Sequence, residues 1–472
     1  MDIQLLPTEL LTRIFFHLDN ADDSRKDINH CRLVSRCFNN ASSSLLITRV
    51  KVHLTLESFA RLEDICNHTV FSKSLQVVQV DLSYYEDELA SDRQLFMQEA
   101  RSRLLRHVEA FERSRYHRTR YSMTDDLFGW LSKMAWGQGH EFDQLLSGET
   151  EKAASTPIEK LYSKVYNLYQ QKYQNQQSLR QNGKHIDRLC TALCSLSKLV
   201  SLELEDSKSW GSDLLDTADF LDTGFDRSVL KHFDSALRKS NWCGSFQTKN
   251  TATPPVEMLG TLCARLGDKG LRPKILHLAL TPPPDMRVWQ LSSAQQAGVK
   301  HLVSQSTDLI MHVNFFARGH SRSASPKDEM LSLCSITQPF FSAPNLESLH
   351  IRFDEYTSNS ARPTVSLGDI LPLETSWSRL HTMFLWYQPA TITELKSLVS
   401  RHSKTVRDFV WYSPWLLEGT WPDAVEIIRG FKNLEDFRLE FPKGDPNTLT
   451  YGWPKDEVRK YILRETNEKP IR

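Results

Sequence analysis

The sequence predicts an α/β fold: short strands of one recurring pattern, each preceded by an amphipathic helix, follow one another along 472 residues. Two observations carry this reading. Segments of the form L-x-x-L-x-L recur from Leu75 to Leu439, and their apolar residues alternate as a strand with one buried face requires. Between them lie stretches with apolar residues three or four apart, the spacing of a helix that buries one side. A helix and strand repeated with one polarity pack as a parallel sheet with helices on the other side, because parallel neighbours need a crossover between them. The expected shape is a curved, irregular α/β solenoid.

In chain order the strand segments are SLQVVQVDL (Leu75, Val78, Val80), KLVSLELED (Leu199, Leu202, Leu204), KILHLAL (Leu276, Leu278) and NLESLHIRF (Leu346, Leu349, Ile351). RLHTMFLWY (Leu380, Met383, Leu385), TVRDFVWY (Val406, Phe409, Trp411) and NLEDFRLEF (Leu434, Phe437, Leu439) follow. The last four begin 34, 26 and 28 residues apart, close to a leucine-rich-repeat period. Helices are expected at SFARLEDICNH, HIDRLCTALCSL, VEMLGTLCARLG, TITELKSLVSRH and AVEIIRGF, each just before a strand. Residues 84–183 break the pattern. They hold two long, charged, helix-periodic stretches, the second with Leu161, Val165, Leu168 and Tyr169 on one face, and read as a helical insertion lying on the array. The organisation is then a helical module over residues 1–50, an irregular leucine-rich-repeat-like solenoid over 51–441 with the insertion at about 84–183, and a C-terminal tail over 442–472. Unrelated strands of an ordinary α/β domain are the competing reading.

The N-terminal module rests on LPTELLTRIFFHLD, with Leu6, Leu10, Ile14 and Leu18 at helical spacing and a second file at Leu11 and Phe15. Pro7 suits a first helical turn because its missing N–H has no acceptor to lose, and Glu9 puts negative charge where the helix dipole favours it. This helix is expected to start at Leu6 or Pro7 and run to about Leu18. After the polar turn DNADDSRKD, the residues Ile28, Cys31, Val34, Cys37 and Phe38 predict a second amphipathic helix ending near Asn39. Two such short helices bury too little surface to be stable alone and must dock on something. Periodicity by itself favours a cap that closes the repeat domain.

The residue identities point elsewhere. A Leu-Pro start, Glu9 two residues after the proline, Leu and Ile at helical spacing, and Val34-Ser35-Arg36 followed by the aromatic Phe38 resemble the F-box over about residues 1–50. Phe38 stands where tryptophan is common in that pattern. The resemblance implies a helix pair that docks the Skp-type adaptor of cullin-RING ubiquitin ligases. Carried over position by position, Leu6, Pro7, Glu9, Leu10, Ile14, Leu18, Cys31, Val34 and Phe38 would face the adaptor or brace the helices that do. The whole chain looks like an F-box protein with degenerate leucine-rich repeats, a non-catalytic subunit that brings a target protein to the ligase. A repeat scaffold with no ligase role, whose first helices only cap the array, is the alternative.

Composition narrows the partners. Lysine plus arginine and aspartate plus glutamate number 58 each, so no global field draws the chain to nucleic acid or membrane. No apolar run is long enough to span a bilayer and the N-terminus is unlike a secretory signal, which points to the cytoplasm or nucleus. Eight scattered cysteines form no disulfide framework. RSRYHRTRY, Arg113 to Tyr121, reads as the solvated end of a charged helix before it reads as a nucleic-acid contact, and Ser325-Pro326 is a phosphorylation candidate in a polar loop.

Catalytic patterns are missing: there is no Walker loop, dinucleotide glycine pattern, HExxH helix or GxSxG elbow, and WGQGHE lacks the flanking strand and helix that would give its glycines a phosphate-binding role. His185, Cys190 and Cys194 share a helical face but lack a fourth ligand, and core packing is the expected role. No catalytic residue, cofactor or metal is expected.

The repeat does nominate a binding surface. If the leucines of each strand point inward, the alternating residues line the concave face. There His350, Arg352, Phe384, Trp386, Val410, Tyr412 and Arg438 assemble an aromatic block on neighbouring strands with arginines at its rim, the composition of an interaction hot spot. Whether the C-terminal segment YGWPKDEVRKYILRE folds back over this block, making it core, stays open.

Overall fold

The computed structural model describes residues 6–19, 24–102, 157–206, 238, 242, 254–283, 285–314, 327–354, 365–444 and 454–470. The RSRYHRTRY segment, the WGQGHE segment and Ser325-Pro326 lie outside them. No described helix is long and apolar enough to cross a membrane.

Among the described residues, nine strands form one parallel sheet whose spatial order follows the chain. They are β1 (Arg49–His53), β2 (Val77–Asp81), β3 (Ser201–Glu205), β4 (Ile275–Leu280), β5 (Asp308–Asn314), β6 (Ser348–Asp354), β7 (Thr382–Trp386), β9 (Asp408–Tyr412) and β11 (Asp436–Glu440). Two-residue strands β8 (Pro389–Ala390) and β10 (Trp415–Leu416) pair with each other after β7 and β9.

The register stacks the apolar positions into two continuous ladders. One runs Val50, Val78, Leu202, Leu276, Leu309, Leu349, Met383, Phe409, Phe437, and the other runs Val52, Val80, Leu204, Leu278, Met311, Ile351, Leu385, Trp411, Leu439. All of these residues are at most 4% exposed. Strand entry is stitched in a repeating way: the carbonyl just before most strands accepts from two N–H groups of the next, as Thr48 does from Gln76 and Val77, and Arg407 from Glu435 and Asp436, while Val200 accepts from Ile275 alone. Asn345 and Asn433, which stand just before the first leucine of their segments, donate their side-chain amides to the carbonyls of Ser304 and Lys404 at 3.1 and 2.7 Å.

The helices lie on the face that the two ladders present. Helices Leu56–Asn67, Lys184–Cys194, Cys263–Asp268, Ser293–Val303, Ile392–His402 and Trp421–Ile428 each bury a stripe such as Phe59, Leu62 and Ile65, or Leu395, Leu398 and Val399, in the same core as the strands. Their starts are fixed by side chains. Thr55, Ser292, Thr391 and Thr420 accept from backbone N–H groups of the first turn, and Ser292 and Thr391 complete reciprocal capping boxes with Gln295 and Glu394.

The helices Cys263–Asp268 and Ser293–Val303 cross backbone to backbone. A Cβ on Gly267 would stand 1.9 Å from the Gly298 carbonyl oxygen, and one on Gly298 would stand 2.6 Å from that of Ala264. Backbone cannot yield as a side chain can. Gly298→Ala is therefore expected to destabilise the fold by at least the roughly 1–3 kcal/mol of an overpacked core, read in a denaturant melt.

The structure departs from the sequence reading in four places. Strands β1 and β5 add two members that the expected series omitted. The second N-terminal helix does not run unbroken to Asn39: it splits at Ser35, whose extended backbone and hydroxyl, accepting from Phe38 N at 3.2 Å, start a new helix. The region called a tail contains the helix Lys455–Ile462, whose Val458, Tyr461 and Ile462 join the main core. Finally, Val410 is only 8% exposed and does not belong to an open surface. Within 84–183 the described residues include the long helix Pro157–Arg180, which holds the short helix Asp87–Ser91 through Tyr166 Oη and Gln170 Nε2 on the Ala90 carbonyl.

Candidate functional site

Three helices build the N-terminal module: α1 (Thr8–Asp19), α2 (Ser24–Val34) and α3 (Arg36–Ser42). Pro7 precedes α1, and its carbonyl accepts from Leu10 N and Leu11 N, so the proline ends the incoming chain and opens the helix. Leu11, Phe15, Ile28, Phe38 and Ala41 form a small core of their own, separate from that of the sheet, with Phe15 and Phe38 edge to face at 5.3 Å. Leu6 and Cys31 pack half-buried against it. The Thr12 hydroxyl donates to Thr8 O at 2.8 Å and also lies 3.1 Å from Ala41 O, tying α1 to the end of α3.

The residues assigned to adaptor docking therefore divide. Phe38 is a buried brace, Leu6 and Cys31 are partial braces, and Pro7 and Glu9 are exposed. Leu10, Ile14 and Val34 are 46%, 38% and 61% exposed, an apolar set that the small core leaves unpartnered among the described residues. The side chain of Leu18 lies outside the described residues. Phe16 and Leu33, at 51% and 85% exposed, belong to the exposed apolar residues of this module and were not singled out from sequence. Each sits beside a residue of the helical stripe, so periodicity alone assigned neither.

The second surface is the sheet face opposite the helices. Alternation and register arrange it in two rows. One runs Lys51, Gln79, Glu203, His277, Ile310, His350, Phe384, Val410, Arg438, and the other runs His53, Asp81, Glu205, Ala279, His312, Arg352, Trp386, Tyr412, Glu440. The seven residues nominated as a target surface are thus neighbours on four adjacent strands. His350 lies 4.4 Å from the Phe384 ring, Phe384 stacks on Trp386 at 5.8 Å, and Tyr412 meets Phe441 edge to face at 5.3 Å. Phe384, Trp386, Tyr412 and His350 are half-buried, while Arg352 and Arg438 are exposed. Val410 lies between Phe384 and Arg438 in its row and serves as the floor. The helix Lys455–Ile462 packs against β11 and the helix Trp421–Ile428, where Tyr461 donates to Glu426 and Arg429 lies over its ring at 4.0 Å.

Charge changes along this face. At its N-terminal end Asp81, 4% exposed, lies 3.0 Å from His53 Nδ1, 3.4 Å from Lys51 Nζ and 3.6 Å from Arg238 Nη1. Burial alone would raise its carboxyl, but the neighbouring His53, Arg238 and Lys51 outweigh it and hold the group well below the usual carboxylate range. In the middle, burial together with His277, Arg352 and His350 pushes His312 down to about 4, so its imidazole is neutral at physiological pH. His185, Cys190 and Cys194 do not form a ligand set. Cys190 is buried with its thiol pushed up to about 11 by burial, Cys194 is exposed, and His185 Nε2 lies 3.2 Å from Glu257 Oε1.

The F-box domain family matches residues 3–49. No curated protein and no solved structure matches the chain.

Proposed function

Because the F-box domain family matches residues 3–49, we propose that the chain is the substrate-recognition subunit of a Skp-cullin-F-box ubiquitin ligase, acting in the cytoplasm or nucleus. An F-box domain implies binding to a Skp-type adaptor of cullin-RING complexes. In this reading Leu10, Ile14 and Val34 meet the adaptor, and Leu11, Phe15 and Phe38 hold them in place. The observation that carries it is the separate core of α1 to α3. A cap would share the core of the array it closes, whereas this module buries its own apolar residues and leaves a second apolar set exposed.

The region after the module reads as an irregular leucine-rich-repeat-like solenoid. Its chain-ordered parallel strands and repeated stitch at strand entry support that reading. Its aromatic block at His350, Phe384, Trp386 and Tyr412, rimmed by Arg352 and Arg438, is the surface proposed for the target protein. Tryptophan, tyrosine and arginine are enriched among the few residues that carry most of the binding energy where protein surfaces meet. The chain then contributes proximity and no bond-making residue.

Calorimetry with a purified Skp-type adaptor tests the docking surface. Leu10→Ala with Val34→Ala should weaken binding by at least about tenfold, since truncated hot-spot residues cost about 2 kcal/mol or more. An unchanged affinity, with the variant still folded, would favour the scaffold alternative.

A further inference from the structure

On the open face, β3 and β4 bring together three groups that the proposed function does not use. Glu203 and His277 are register partners, and Glu205 follows Glu203 on the same face of β3. One ligand atom from each of Glu203, Glu205 and His277 lies within 4.8 Å of the other two. The pair of carboxylates is shielded from bulk water: Glu203 is 8% exposed, and the Glu205 side chain 16%. Arg49 Nη1 donates to Glu203 Oε2 at 2.8 Å, and Gln79 Nε2 to Glu205 Oε2 at 2.5 Å. Glu205 Oε1 stands 3.5 Å from His277 Nδ1. The other ring nitrogen, His277 Nε2, is buried with no hydrogen-bond partner among the described residues. A buried orphaned nitrogen in a polar cluster calls for an ion or water to satisfy it.

We propose that Glu203, Glu205 and His277 form a divalent metal site on the open face of the sheet. Two carboxylate oxygens and one imidazole nitrogen are a mixed donor set suited to zinc, with three protein ligands leaving a further position for water or for a group of a bound partner. The ion would also relieve the mutual repulsion of two carboxylates held side by side. Ala279, opposite Glu205 in the register, adds only a methyl group beside it. Nothing in this site depends on the adaptor or target surfaces.

Calorimetric titration of the metal-free full-length chain with Zn²⁺ alone tests this. One equivalent should bind, and Zn²⁺ should raise the melting temperature. Loss of a ligand should cost more than the about 10- to 100-fold that loss of an outer-shell partner costs, so His277→Ala and Glu205→Gln should each remove the binding and the thermal shift. Cys194→Ala should leave both intact, which separates the site from the exposed thiol. Glu205→Gln keeps the shape of the side chain and an oxygen for Gln79, so it decides the matter if His277→Ala fails to fold. No bound Zn²⁺ in the parent chain, or binding that survives Glu205→Gln, overturns the site.

Discussion

Leu385→Ala is expected to lower the unfolding free energy by about 2–5 kcal/mol, while Trp386→Ala, one residue along the same strand, costs far less. Leu385 is fully buried in the inner ladder between Ile351 and Trp411, where truncation leaves a cavity that flanking strands cannot close. Trp386 points to the opposite face, half-buried, stacked on Phe384 and tilted against His350, and its removal gives up these ring contacts and no core volume. A slip of one residue in register would exchange these fates, so the contrast between neighbours is the informative quantity. Denaturant melts of the two variants provide it. Equal losses would mean that the aromatic block is covered in the folded protein, and the target surface proposed on it would be withdrawn.

Asp81→Asn should be as damaging, through charge and not volume. Removing one partner of a buried ion pair costs roughly 3–5 kcal/mol. Here the other side is Arg238, only 9% exposed, which loses the carboxylate 3.6 Å from its Nη1, whereas Lys51 and His53 can reach water. The Ser83 N–H that Asp81 Oδ1 accepts at 2.8 Å can be kept by the amide oxygen of asparagine, which isolates the loss of charge. The pH dependence follows from the depressed carboxyl. The unfolded chain takes up a proton near pH 4 and the folded chain only lower, so this stabilisation is complete above about pH 4 and disappears as pH falls through the folded value. Acid melts should show the parent losing this increment below pH 4 while the asparagine variant has none to lose. Parallel acid curves would contradict the assignment.

Except in β4, read from Leu276 and Leu278 alone with Pro273 ahead of them, the legibility of the strands in the sequence depends on which residue fills the first position of L-x-x-L-x-L. Where it is leucine or valine, as at Leu75, Leu346 and Val406, the strand was readable. In β5 that position is Ser306, buried because its hydroxyl donates to Pro273 O at 2.8 Å, and a polar residue there hid the repeat. Strand β1 has Ile47, Val50 and Val52 in the right places, but they run straight on from the N-terminal module and were absorbed into it. The break at Ser35 was hidden because a capping serine and a helix-interior serine look alike until the backbone turns extended. Contacts between distant segments were unreadable for a plainer reason. Gly267 against Gly298, and Glu203 and Glu205 against His277, become neighbours only when crossovers set the strand and helix order. The aromatic block was legible because its members alternate with core residues on strands of recognisable pattern, and Val410 was misjudged because alternation gives a face and not a depth.

On the proposed function, α1 to α3 form a docking unit with its own core, joined to a parallel-sheet region that folds without it. Removing residues 1–46, which keeps Ile47 in the main core, and measuring complex formation with the Skp-type adaptor by sedimentation tests that claim most directly. The full chain should form a one-to-one complex, and the truncated chain should form none while keeping a single cooperative melting transition. A truncated chain that still binds the adaptor, or that loses its transition, would contradict the claim.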